Sequence, residues 1–194
     1  MRIRKARGGV RIDVDEVESS VLAHCIRELL ELLTPPEREE PTDPLAALLR
    51  LSPGATLPAD AALARLLPNA YGDDPEAALD FRRYTEADLR AGKVAHAEAM
   101  LATLPTTLPT GDARIVLDRE QADAWLFTLN DLRLALGTRL GVTDDLEDGD
   151  PDPDDEGDPD ADERLQGLEV FGWLGLVQET LVEHLQPRPD PGHR

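Results

Sequence analysis

The sequence predicts a mainly α fold, a multi-helix domain with a small N-terminal β-hairpin and a short third β segment. Three observations carry that expectation. Apolar residues recur every three or four positions in long stretches that open at Asp or Thr and stop at Pro or Gly, the period and punctuation of amphipathic helices. Residues 2–14 instead alternate apolar and charged side chains on either side of Gly8-Gly9, which is a hairpin pattern. Aromatic residues make up only 4% of the 194, so the core is built from Leu, Val, Ile and Ala.

In chain order, Ile3, Val10, Ile12 and Val14 face inward from the hairpin while Arg2, Arg4 and Arg11 stay in water. Asp13 or Asp15 caps a long helix with Glu16 and Glu18 in its first turn, favourable to the helix dipole. Its stripe is Val17, Val21, Leu22, Cys25, Ile26, Leu29, Leu30 and Leu33, and Thr34-Pro35-Pro36 ends it. A short helix follows Thr42-Asp43-Pro44, carries Leu45, Leu48 and Leu49, and closes at Ser52-Pro53-Gly54. Another spans about 59–67 before Pro68-Asn69. Asp73-Asp74-Pro75 starts a helix through Phe81 that ends at Arg82-Arg83-Tyr84. Thr85, with Glu86 and Asp88 after it, reads as a fresh N-cap for a helix to about Leu104 bearing Leu89, Val94, Met100 and Leu101. After a loop from Pro105 to Pro109, Ala113–Leu117 is a β segment expected to pair with the hairpin. Asp118 then caps a helix with Ala122, Trp125, Leu126, Leu129, Leu132, Leu136 and Leu140. A last helix, about 162–185, carries Leu165, Leu168, Phe171, Leu174, Val177, Leu181 and Leu185, with Val170, Trp173 and Leu176 on a second face.

The formal charge of −20 is concentrated. Residues 144–163 hold thirteen acids, no base, three prolines and two glycines, and the remaining 174 residues carry 27 acids against 20 bases, a net of −7. A self-repelling window with so few apolar residues cannot offset its ordering entropy. The expected organisation is therefore one helical domain from residues 1–143 and 164–186, a disordered acidic loop at 144–163 and a disordered tail at 187–194. At the other extreme, the first eleven residues hold five bases and no acid. The N-terminus lacks a signal-peptide apolar core, and the longest apolar run near the C-terminus, Val170 to Gln178, falls well short of the ~20 residues a membrane helix needs. The chain reads as cytoplasmic, with no membrane partner.

Chemistry-bearing motifs are absent: the sequence has no Gly-x-Ser-x-Gly, no His-Glu-x-x-His and no phosphate-cradling glycine loop. The expectation is no enzyme, no catalytic residue, no cofactor and no metal. Asp152, Asp154, Glu156, Gly157, Asp160 and Glu163 match positions of a calcium-loop template. Glu at its fifth position, Pro159 at its eighth and the absence of a sister loop favour a solvated linker. The lone Cys25 falls on an apolar stripe between Leu22 and Leu29, where a free thiol packs as a small, inert hydrophobe; His24 points about 100° away around the helix. Two basic groups remain as binding candidates: Arg2, Arg4, Lys5 and Arg7 on the hairpin, and Arg82, Arg83, Arg90 and Lys93 in the middle of the chain. The second has a plainer reading, local neutralisation of Asp80, Glu86 and Asp88. The helices at 43–51 and 59–67 offer only Arg50 and Arg65, too thin for helix-turn-helix base readout.

Three strings, Ala64-Arg65-Leu66-Leu67-Pro68-Asn69-Ala70-Tyr71, the stretch from Asp80 to Arg90, and Trp125-Leu126 with Asn130-Asp131-Leu132-Arg133-Leu134-Ala135-Leu136-Gly137, carry a likeness. They resemble an actinobacterial family of domains of unknown function, one branch of which is described as an AosR-like oxidative-stress transcriptional regulator. The resemblance covers nearly the whole chain outside the acidic window and the tail. It implies a cytosolic regulator that, in the studied branch, senses oxidant through a Cys-x-x-x-Cys pair and engages an alternative sigma factor of RNA polymerase. With one cysteine, this chain has no such pair to carry over. The leading expectation is a non-enzymatic regulator working by protein–protein contact, with a sigma factor or RNA polymerase as partner. Direct DNA binding through the hairpin or the Arg82–Lys93 patch is the alternative. The apolar second face of the last helix, with Gly172 and Gly175, suggests a partner helix or a homodimer.

Overall fold

The computed structural model describes residues 1–34, 57–71, 74–105, 112–142 and 161–186. Strands β1 (Arg2–Ala6) and β2 (Gly9–Val14) form the expected hairpin, and β3 (Ala113–Leu117) joins it in an antiparallel sheet of order β1-β2-β3. The turn takes Gly8 into left-handed backbone at φ 86, a conformation glycine adopts without steric cost. Gly9 is required for another reason: a Cβ there would lie 1.9 Å from the Leu117 carbonyl oxygen, so only a hydrogen lets β2 and β3 meet. Ile12 pairs with both Ile3 and Ile115, and Val10 with Lys5 and Leu117, which sets one face of the sheet inward. Val10, Ile12, Val14 and Leu117 are fully buried there.

Helix α1 (Glu16–Leu33) starts at Asp15, not Asp13. The Asp15 carboxylate accepts from the Glu18 amide while Glu18 accepts from the Asp15 amide, a capping box. A second Glu18 oxygen takes the Met1 ammonium, stapling the first strand to this helix. Helix α2 (Ala61–Leu66) is capped by Asp60. Helix α3 (Pro75–Thr103) begins at Asp74 with Pro75 in the first turn, where a missing N–H costs nothing. It corrects the sequence reading, for it runs unbroken through Thr85. The Thr85 hydroxyl donates back to the Phe81 carbonyl at 2.9 Å instead of capping a new helix. Helix α4 (Arg119–Leu140) has its own capping box, Asp118 with Gln121, and stops at Gly141 in left-handed backbone. Helix α5 (Ala161–Leu185) closes the chain.

Helices α4 and α5 lie antiparallel, since Leu140 meets Gly167, Gly137 meets Phe171, and Arg133 bonds Gln178 at 2.9 Å. A Cβ on Gly167 would come within 2.8 Å of Leu140, and one on Gly137 within 3.0 Å of Phe171, so these glycines set the close approach. Trp125 is fully buried in the second turn of α4, and its indole N–H donates to the Thr103 hydroxyl at 3.0 Å; a buried indole needs that partner. Leu22, Ile26, Leu33, Leu66, Met100, Leu129, Leu174 and Leu181 complete the core around it.

Several positions assigned to core stripes are exposed: Val17, Leu89, Leu165 and Leu168. On α5 the buried stripe narrows to Leu174, Val177 and Leu181. Of its second face, Val170 and Trp173 pack against the core while Leu176 is in water. Ala161, Asp162 and Glu163, counted in the acidic loop, form the first turn of α5. The rest of that window, the calcium-like template up to Asp160, the helix around residues 43–51, the loop at 106–111 and the tail from residue 187 lie outside the described residues. No helix among the described residues is long and apolar enough to cross a membrane.

Candidate functional site

The pleat that buries one face of the sheet necessarily turns the other outward. Register places Arg2, Asp13 and Arg114 in one row of that outer face and Arg4, Arg11 and Val116 in the next, with Ala6 and Gly9 beyond. Four guanidinium groups thus face one carboxylate, a net of three positive charges. Asp13 serves two of them, Arg11 Nη2 at 3.3 Å and Arg114 Nε at 3.4 Å. Arg2 and Arg4 are exposed and make no ion pair among the described residues, and the Arg114 side chain is 66% exposed. Val116, 60% exposed, adds an apolar spot beside Arg11. The described residues of this face form a platform of planar, multidentate donors.

Of the four hairpin bases expected to act together, Arg2 and Arg4 share this platform. Arg7 is exposed in the turn. Lys5 belongs to the opposite face by register, and its ammonium donates to the Gln186 carbonyl at 3.2 Å, holding the end of α5 against β1. Arg11 and Arg114 complete the platform. Arg114 was missed as a site residue, although the alternation Arg114-Ile115-Val116-Leu117 gives its direction once β3 is paired with β2.

The second basic group is consumed by the fold. Arg82, only 4% exposed, donates to Glu86 Oε2 at 2.7 Å, to the Leu67 carbonyl at 2.7 Å and to Asn69 Oδ1 at 3.0 Å. Arg90 donates to Glu86 Oε1 at 2.9 Å and to the Leu33 carbonyl at 2.9 Å, closing the C-terminus of α1. Burial alone pushes the Glu86 carboxyl up, but hydrogen bonds from Arg90 and Arg82 and the field of both cations outweigh it, leaving Glu86 below its ordinary range. Lys93 reaches Asp131 on α4 at 2.6 Å, where the carboxylate is nearly inaccessible. Arg83 is left with a loose surface pair to Asp80 at 3.6 Å. In this patch Glu86, Asp131 and Asp80 take the ion pairs, with Asp131 in the place expected of Asp88.

Among the described residues a cavity of about 390 Å³ opens between α1, α4 and α5, lined by Leu29, Leu132, Ala135 and Leu174 together with His24, Glu28, Arg139 and Glu163. Cys25 lines it half-buried, so it is not the fully packed residue its stripe predicts, and His24 lines the same groove. Burial raises the Cys25 thiol and the Glu28 charge adds to that, against a backbone hydrogen bond that lowers it. The net effect disfavours the thiolate, the reactive form.

A family model described as a domain of unknown function, DUF2017, matches residues 1–185. Among curated proteins, a Mycobacterium leprae (strain TN) protein named for the oxidative stress regulator AosR is 34% identical over 175 residues, covering 85% of this chain and 77% of that protein. The oxidative stress regulator AosR of Mycobacterium tuberculosis (strain ATCC 25618 / H37Rv) is 31% identical over 182 residues, with the same shares covered. No solved structure matches.

Proposed function

We propose, for a chain that belongs to the DUF2017 family, a non-enzymatic regulatory role exercised by protein–protein contact through the outer face of the sheet. The naming of its relatives as oxidative stress regulators supports a regulatory reading. The observation that carries the surface is the platform of Arg2, Arg4, Arg11 and Arg114 around the single Asp13. The partner is an acidic protein surface, and the family resemblance nominates a sigma factor or RNA polymerase in the cytoplasm. The trigger is not a disulfide within the chain, because Cys25 has no second cysteine to join.

Biolayer interferometry of purified sigma factors and RNA polymerase over the immobilised chain tests this. The expected result is binding that weakens with salt and is lost in Arg4→Glu/Arg114→Glu. Equal binding by that variant removes the sheet face from the proposal. The alternative, direct DNA contact, now rests on the same platform, since Arg82, Arg90 and Lys93 are paired inside the fold. A gel shift at low salt that retards duplex DNA with the wild type and not the variant decides for it.

A further inference from the structure

Of the two outer strands of the sheet, β1 and β3, only β1 has a guarded edge. It packs Arg2, Arg4 and Lys5 into five residues, and Lys5 is tied to the Gln186 carbonyl at the end of α5. Charged side chains, lysine above all, are how sheets keep a foreign strand off an edge. β3 carries a single base, Arg114, beside the β-branched Ile115 and Val116, residue types that favour pairing. The close approach of the Leu117 carbonyl to Gly9 aims that carbonyl at β2. Backbone groups alternate sides along a strand, so Ala113 and Ile115 also turn theirs to β2, while Arg114 and Val116 each turn an N–H and a C=O away from it. Arg114 and Val116 are the exposed residues of the strand. Among the described residues their outward backbone groups have no hydrogen-bond partner.

We propose that this edge receives an extended segment of an acidic partner protein as a further, antiparallel strand beside β3. The inference rests on the reading of the outer sheet face as the docking surface and deepens it by naming the form the partner takes there. In that pairing the partner residues opposite Arg114 and Val116 exchange both backbone hydrogen bonds with them, and their side chains fall on the outer face. Charge complementarity fixes what those side chains are, because the face sets Arg2, Arg4, Arg11 and Arg114 against Asp13 alone. Arg114 holds only a 3.4 Å share of Asp13, so it takes the carboxylate opposite it. A second carboxylate opposite Val116 stands diagonal to Arg114, within reach of its guanidinium. The intervening side chains of the partner turn to the inner side, level with Ile115 and Leu117, which are buried there, and are apolar. Backbone bonds supply affinity and the alternating side chains supply specificity, as in other cases of strand addition. The chemistry recognised is a strand of alternating acidic and apolar residues, and not acidity alone.

Calorimetric titration of the full chain with a synthetic peptide in which valine and glutamate alternate through four repeats tests the edge apart from the platform. The wild type is expected to prefer it at least about tenfold over a peptide of the same composition with its valines and glutamates in two blocks. Methylating the glutamate amide nitrogens, which face β3 in the pair, abolishes binding, and methylating the valine nitrogens does not. Val116→Pro removes an edge donor, keeps every charge and touches no hydrogen bond to β2; it weakens binding at least about tenfold, the cost of leaving an acceptor unpaired. The methylated peptides need no altered protein, so the test survives a Val116→Pro chain that fails to fold. In hydrogen exchange the Arg114 and Val116 amides are fast in the free chain and slow in the complex. Equal binding of the two unmethylated peptides, or equal loss from either methylation, overturns the strand. A Val116→Pro chain that binds a sigma factor or RNA polymerase as the wild type does overturns it too, and leaves the platform reading in place. Amides at Arg114 and Val116 already slow in the free chain overturn it in favour of a second copy when dilution speeds them, and of the chain's own cover when it does not. Slowing at Ile3 and Lys5 instead moves the partner to β1 and overturns it as well.

Discussion

On α3, Arg82 and Arg90 flank Glu86 at four-residue spacing and spend their guanidinium donors on a shared carboxylate and on the carbonyls of Leu67 and Leu33. On the sheet, Arg2 and Arg4 stand in water with no ion pair among the described residues, and Arg11 and Arg114 divide one aspartate between them. Both regions read as basic clusters in the sequence. Their difference lies in acceptors: a helix carries its own, four residues away, and offers the carbonyl ends of neighbouring helices. A strand on an open face has only its cross-strand neighbours, here mostly arginines. Counting where donors end, more than counting charges, separates the cation that builds the fold from the cation that is left to bind something.

The contrast is broken hardest at Lys93. Lys93→Met leaves the Asp131 carboxylate buried without its counter-ion, and loss of one partner from such a pair costs about 3–5 kcal/mol; urea unfolding should show it as a fall in midpoint. Next comes Arg82→Met, which strands the Leu67 carbonyl and half of Glu86, an expected loss of about 2–3 kcal/mol by the same measurement. The pH dependence sharpens the comparison further. Because the folded Glu86 carboxyl is held below its unfolded value, its contribution is fully present above the unfolded value and is lost as pH falls through the folded one. Glu86→Gln should therefore flatten the acid limb of the stability curve, and an unchanged limb would remove the ladder from the account. The smallest effect on stability belongs to Arg4→Glu/Arg114→Glu, within about 0.5 kcal/mol of wild type as expected for exposed positions, while binding at the platform is lost.

Much of the architecture was legible. The Gly8-Gly9 hairpin, the Asp118 cap and the helix that carries Trp125 follow from local chemistry, and structure and sequence agree on them. The break placed at Thr85 was an error of a definable kind. Thr followed by Glu and Asp resembles a helix start, yet the Arg82-Glu86-Arg90 ladder at i, i+4 spans that very point and stabilises an uninterrupted helix. Val17 and Leu89 were placed inside because periodicity gives a stripe's direction but not its width. The site was half legible. Arg2 and Arg4 follow from alternation, whereas Arg114 required knowing that β3 lies beside β2, a contact about a hundred residues distant in sequence. Nothing in the composition distinguished Arg90 from Arg4, since the Leu33 carbonyl that accepts from Arg90 is brought there only by packing.

Positive charge on the outer face of the sheet and the acids Asp162 and Glu163 in the first turn of α5 give the described residues an electric dipole along that helix. A dipole of that kind acts before contact, turning an approaching molecule during diffusion. Ionic strength should then govern how quickly complexes form more than how long they last. An acidic partner of the kind proposed for the sheet face would then arrive sheet-first more often than chance orientation allows, so the bias would act on the kinetics of encounter before any contact forms.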